Sequence, residues 1–89
     1  MKLSKAERHL KAQFRQYGAA AVLAERAGAV SVSALAAELG IARTVFIQAC
    51  SSYRGRKYRH VRRSIEAHLG MRQYVLDHLI EEDTDAPTE

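Results

Sequence analysis

The sequence predicts an all-α domain of five or six short helices with a helix-turn-helix at its centre. Three observations carry that expectation. Apolar residues recur at three- and four-residue spacing along most of the chain. Serines stand at segment starts and glycines at segment ends, where helices begin and stop. Two of the segments are joined by only about three residues, around Gly40.

The composition bounds the rest. A chain of 89 residues makes one domain. At that size it buries only about 60% of the surface its unfolded form exposes, which leaves little room for a catalytic cleft with a supporting shell. A hydrophobic fraction of 47% excludes a wholly disordered chain. The single cysteine makes no internal disulfide and belongs to no metal motif, which points to a reducing, cytoplasmic setting. No apolar run approaches the roughly 20 residues of a membrane span, and MKLSKAERHLK lacks the apolar core of a secretory leader.

Charge is unevenly placed. The chain has 14 Lys+Arg and 10 Asp+Glu, a net of +4. Half of the acids are Glu81, Glu82, Asp83, Asp85 and Glu89, so residues 1–80 carry +9. Six cations, Arg54, Arg56, Lys57, Arg59, Arg62 and Arg63, fall within positions 54–63. A basic body with a short acidic tail expects a polyanionic partner, most simply nucleic acid.

Ser4-Lys5-Ala6-Glu7 fits a capping box, in which Ser4 and Glu7 each satisfy an amide of the first turn. Leu3, Ala6, Leu10, Phe14 and Tyr17 then follow at helical spacing up to Gly18. A second, alanine-rich helix runs from about residue 19 to 27, or the two form one bent helix; both serve as scaffold.

The stretch VSVSALAAELGIARTVFIQACSSYRG carries the chemistry. Ser33 is the expected N-cap of a helix through Leu39, with Leu35, Ala36 and Leu39 inward. Gly40 permits a positive φ, Ile41 fills the angle, and a further helix runs from Ala42 to about Cys50 or Ser52. Helices joined this tightly cross steeply, the geometry of a helix-turn-helix over about residues 33–51. Phe46 and Ala49 face back. Ala42, Arg43, Thr44, Ile47 and Gln48 then make the outward face.

With Leu35-Ala36, Gly40-Ile41 and Arg43-Thr44-Val45 in this order, the chain resembles the lambda-repressor-like and Cro-like helix-turn-helix repressors of bacteria, phages and plasmids. YRHVRRSIEAHLGM resembles the helix that follows the recognition helix in that group. The resemblance covers about residues 32–71. Phe46 stands where relatives carry Val or Ile, Ala49 where they carry a larger aliphatic, and Ser33 where many carry Gln. A second, weaker match begins at Leu23-Ala24 and Gly28 and would make residues 31–39 the reading helix, with mostly alanine at its inward positions.

Tyr58 to Leu69 predicts the next helix, ended by Gly70, and residues 71–82 the last, with 83–89 an acidic disordered tail. Met71, Tyr74, Val75, His78 and Leu79 form a stripe on that last helix, and Leu76 and Ile80 add apolar surface beyond one core contact. The stripe is read as a twofold dimer seam, with completion of a small core as its rival.

Arg43, Thr44 and Gln48 are therefore the expected base readers, since Arg pairs bidentately with guanine and Gln with adenine. Ala42 and Ile47 can meet thymine methyls, although Ile47 suits the core equally well. Expected phosphate contacts are Ser33, Tyr53, Arg54, Arg56, Lys57, Tyr58, Arg59, His60 and Arg63. Cys50 reads as a small buried hydrophobe. His9, His60, His68 and His78 have no metal-ligand spacing. Nothing assembles a nucleophile, a phosphate loop or an acid–base pair, so no enzyme, metal, cofactor or small-molecule ligand is expected. The resemblance implies a homodimer on double-stranded DNA that represses by covering a promoter. The rival expectations are a DNA-bending, excisionase-like accessory protein, an RNA binder using Tyr53 and Tyr58, and a protein–protein adaptor or antitoxin.

Overall fold

The computed structural model describes residues 2–81, and these are all-helical, with six helices and no strand. The predicted tail over 83–89 lies outside the described residues. The helices are α1 (Lys5–Tyr17), α2 (Ala19–Arg26), α3 (Val32–Glu38), α4 (Arg43–Cys50), α5 (Arg56–Leu69) and α6 (Val75–Ile80).

The capping box at Ser4 forms as read: Glu7 N donates to Ser4 Oγ at 3.1 Å and Ser4 N donates to Glu7 Oε1 at 2.9 Å. Gly18, at φ 92°, separates α1 from α2, so the alanine-rich segment is a helix of its own. The cap of α3 is Ser31, not Ser33: Ala34 N donates to Ser31 Oγ at 3.0 Å. Ser33 lies exposed inside the first turn, where its hydroxyl caps nothing. The backbone before Val32 is already extended at Ser31, which suits a cap residue.

The turn after α3 closes as a Schellman motif. Gly40 N donates to Ala37 O at 3.0 Å and Ile41 N to Ala36 O at 2.9 Å, with Gly40 at φ 69°. The chain turns through 106° between α3 and α4, within the range of helix-turn-helix pairs. Ala36 is buried at this crossing, beside the fully buried Leu35, Phe46 and Ala49. The bulky Phe46 and the small Ala49 thus share one interior.

α6 corrects two expectations. It starts at Val75 rather than Met71, and it supplies core rather than surface. Met71 N donates to Glu66 O at 2.8 Å to finish α5, and Tyr74 takes a left-handed conformation at φ 73° before the chain re-enters a helix. Tyr74 has no capping side chain of its own. The buried carboxylate of Glu66 substitutes for it, accepting from Tyr74 N at 3.0 Å and Leu76 N at 2.8 Å. Val75, Leu76, Leu79 and Ile80 are all buried against α1 and α5. The surplus apolar surface of the last helix is consumed inside one protomer, because a six-residue helix can be surrounded on nearly every side. Val75 and Leu79 are therefore not on a dimer seam. Met71 and His78 are half-buried, and Tyr74 is exposed.

Candidate nucleic-acid interface

α4 is anchored by Phe46, Ala49 and Cys50, and its other side faces outward. Ala42 is the N-cap residue, exposed together with Arg43 and Thr44. No side chain caps this end, so its first amides keep donors that a phosphate oxygen can accept. Arg43 makes no ion pair among the described residues. Ile47 is half-buried: it packs against the core on one side and keeps part of its surface exposed. Gln48 is half-buried, and its Oε1 accepts from the Tyr58 hydroxyl at 3.1 Å.

The cations of residues 54–63 divide into two groups. Arg62 is fully buried. Its Nε donates to Asp77 Oδ1 at 2.7 Å, and one terminal nitrogen donates to Ala49 O at 2.8 Å and Tyr53 O at 3.0 Å. The other terminal nitrogen pairs with Glu81 Oε2. Arg59 grips Glu81 with two bonds of 3.0 and 2.8 Å. Arg63 binds Glu66 and Asp77 and lies 4.5 Å over the Tyr74 ring. Arg54 donates to Glu81 O at 3.1 Å. The second group, Arg56, Lys57 and His60, is exposed. Among the described residues, neither Arg56 nor His60 has a side-chain partner, and Lys57 Nζ stands 5.2 Å over the Tyr58 ring.

This division sorts the expected phosphate set by internal pairing. Arg54, Arg59 and Arg63 turn toward carboxylates and a carbonyl of α5, α6 and Glu81, because bidentate Arg–carboxylate pairs at the protein's own surface outcompete solvent. Arg59 remains half-exposed on its outer edge. Tyr58 is half-buried, with its ring 5.0 Å from that of the exposed Tyr53.

Electrostatics follow the pairing. Burial pushes the Asp77 carboxyl up, but hydrogen bonds from Arg63 and Arg62 outweigh it and hold the group below the usual range. Glu81 is held low chiefly by the Arg59 hydrogen bonds, against the opposing effect of burial. The Cys50 thiol is pushed up to about 12 by burial, which the Arg62 charge only partly offsets. It is a neutral core side chain, as expected from its place on the inner face of α4.

The sequence reading missed the Arg62 centre and the structural role of Glu81, which it placed in the last helix but counted only among the acids of the C-terminal stretch. A signal was present. Asp77 and Glu81 lie four residues apart on an apolar helix, and Arg62 and Glu66 lie four apart on its neighbour, so each pair shares a face. The weaker helix-turn-helix alignment finds no support in the surface of α3, whose exposed residues Ser33, Ala37 and Glu38 include an acid and no cation. Among the described residues, no group of three His, Cys, Asp or Glu is placed to hold a metal, and no single helix is long and apolar enough to cross a membrane.

In comparison with known proteins, the chain matches no family model, no curated protein and no solved structure.

Proposed function

We propose that this chain is a sequence-specific double-stranded DNA-binding protein of the lambda-repressor-like kind, which represses transcription by occupying promoter DNA. One observation carries the reading. Beyond a 106° turn, α4 offers exposed Arg43 and Thr44 at its leading end, and Arg43 has no ion-pair partner among the described residues. Arg43 and Gln48 act as base readers in the major groove, with Thr44 between them on the same side. Arg56, Lys57 and His60, at the start of α5, hold the phosphate backbone where it leaves α4.

A single module of this size reads few base pairs. Two copies related by a dyad and spaced about 34–36 Å apart read a palindrome on one side of the duplex. The protein therefore acts as a homodimer on DNA in the bacterial cytoplasm, with the pairing surface outside Val75 and Leu79. Polymerase is excluded by occupancy.

Selection of bound duplexes from a random pool tests this reading. The expected result is an enriched, twofold-symmetric site held at least about a thousandfold more tightly than random DNA. Equal affinity for all duplexes with strong bending would favour the accessory-protein reading. No affinity for duplex DNA at low salt would refute DNA binding and leave the adaptor reading.

A further inference from the structure

Gln48 lies one helical turn beyond Thr44 on the outward side of α4, and its side chain is held. The Tyr58 hydroxyl is 3.1 Å from Gln48 Oε1. Tyr58 is itself fixed from three sides. Its ring packs on Tyr53, Lys57 covers one face, and Gly55 lies so close that a Cβ there would stand 3.6 Å from Tyr58 Cδ2. A phenol donates more readily than it accepts, because its oxygen lone pairs are shared with the ring. The contact therefore draws the amide oxygen toward α5. Nε2, a donor with two hydrogens, stays wholly uncommitted to Tyr58, whereas the oxygen keeps only one lone pair.

We propose that Tyr58 sets the base preference of Gln48, making it a donor that reads an acceptor edge: guanine O6 or N7, or thymine O4. The inference rests on the reading of α4 as the helix that enters the groove. An unrestrained glutamine prefers adenine, because its oxygen accepts from N6 while its nitrogen donates to N7. The phenol takes one of the oxygen's two lone pairs and holds it on the α5 side, so the accepting half of that pair is weakened while the donating half is untouched. Tyr58 is thus a positioning residue that acts through Gln48 and need not touch a base.

Duplex selection with the full chain, Gln48→Ala and Tyr58→Phe tests this. Gln48→Ala identifies the base position whose preference depends on Gln48. At that position the unaltered chain should enrich guanine or thymine. Tyr58→Phe keeps the ring and its packing, and should shift the preference toward adenine by about 5- to 150-fold, leaving other positions as they were. Adenine at that position with the unaltered chain would overturn the inference, as would a folded Tyr58→Phe with unchanged preference. So would a Gln48→Ala chain that relaxes no position. If Tyr58→Phe does not fold, the base enriched by the unaltered chain decides. An unaltered chain that enriches no sequence overturns the reading of α4 and this inference together, whereas the other outcomes overturn this inference alone.

Discussion

The guanidinium of Arg62 donates to the carbonyl oxygen of Ala49 at 2.8 Å, so the interior of α5 holds the last turn of α4. The same group binds Tyr53 O, Asp77 and Glu81. One buried cation thereby ties the exposed helix, the loop after it and the end of α6 into a single unit. No buried side-chain nitrogen or oxygen among the described residues lacks a partner, and that completeness is what makes a charge in this core tolerable.

Removing one partner leaves the others uncompensated. Arg62→Ala is expected to destabilise the fold by about 3–5 kcal/mol, since carboxylates and carbonyls arranged around it lose their donor. Urea unfolding followed by helical circular dichroism measures this. A loss below about 1 kcal/mol would mean that the network contributes little.

The pH dependence has a definite sign. Asp77 and Glu81 are both held below their ordinary values in the folded chain. Their contribution is present above the unfolded carboxyl range, near pH 4, and is lost as pH falls through the lowered folded values. The melting temperature should therefore drop between neutral pH and about pH 3. Glu81→Gln should reduce that drop while lowering the melting temperature at pH 7.

Leu79 separates core from seam. It is fully buried within one protomer, so Leu79→Ala should cost about 2–5 kcal/mol of unfolding free energy. The cost should not vary with protein concentration. A concentration-dependent loss, seen by sedimentation alongside the melts, would return Leu79 to an intermolecular contact.

Two serines two residues apart should behave differently. Ser31→Ala removes the cap of α3 and is expected to cost about 1 kcal/mol, while Ser33→Ala should stay within about 0.5 kcal/mol. Chemical denaturation of both variants compares them directly.

On the proposed function, the cations should also separate in binding. Arg43→Ala should cost about 1–3 kcal/mol and relax one position per half-site. Arg56→Ala or Lys57→Ala should weaken all duplexes alike and lower the salt slope by about one. Titrations at several salt concentrations, with the selected duplex and a scrambled one, read both quantities. Indistinguishable behaviour of the two sets would refute this division of roles.

The number of helices, the cap of α1 and the central turn were legible in the amino-acid order because each depends on residues within a few positions of one another, whereas the cap of α3 and the start of α6 fell two and four residues away from where the order placed them. The Ser4–Glu7 box, the glycine after α3 and the inward set of Leu35, Ala36, Phe46 and Ala49 are all local or periodic features. So was the outward placement of Ala42, Arg43 and Thr44, which follows from the inward set by helical geometry. The fate of each arginine in 54–63 was not legible. Every one carries the same charge in the sequence, and only the packing of α6 on α5 brings Asp77 and Glu81 within bonding distance of Arg59, Arg62 and Arg63 while leaving Arg56, Lys57 and His60 outside. That sorting joins residues 14 to 22 positions apart, a separation that no helical period encodes. The burial of Val75 and Leu79 has the same origin: an apolar stripe shows that a helix must be covered, and the three-dimensional arrangement of α1 and α5 supplies the cover.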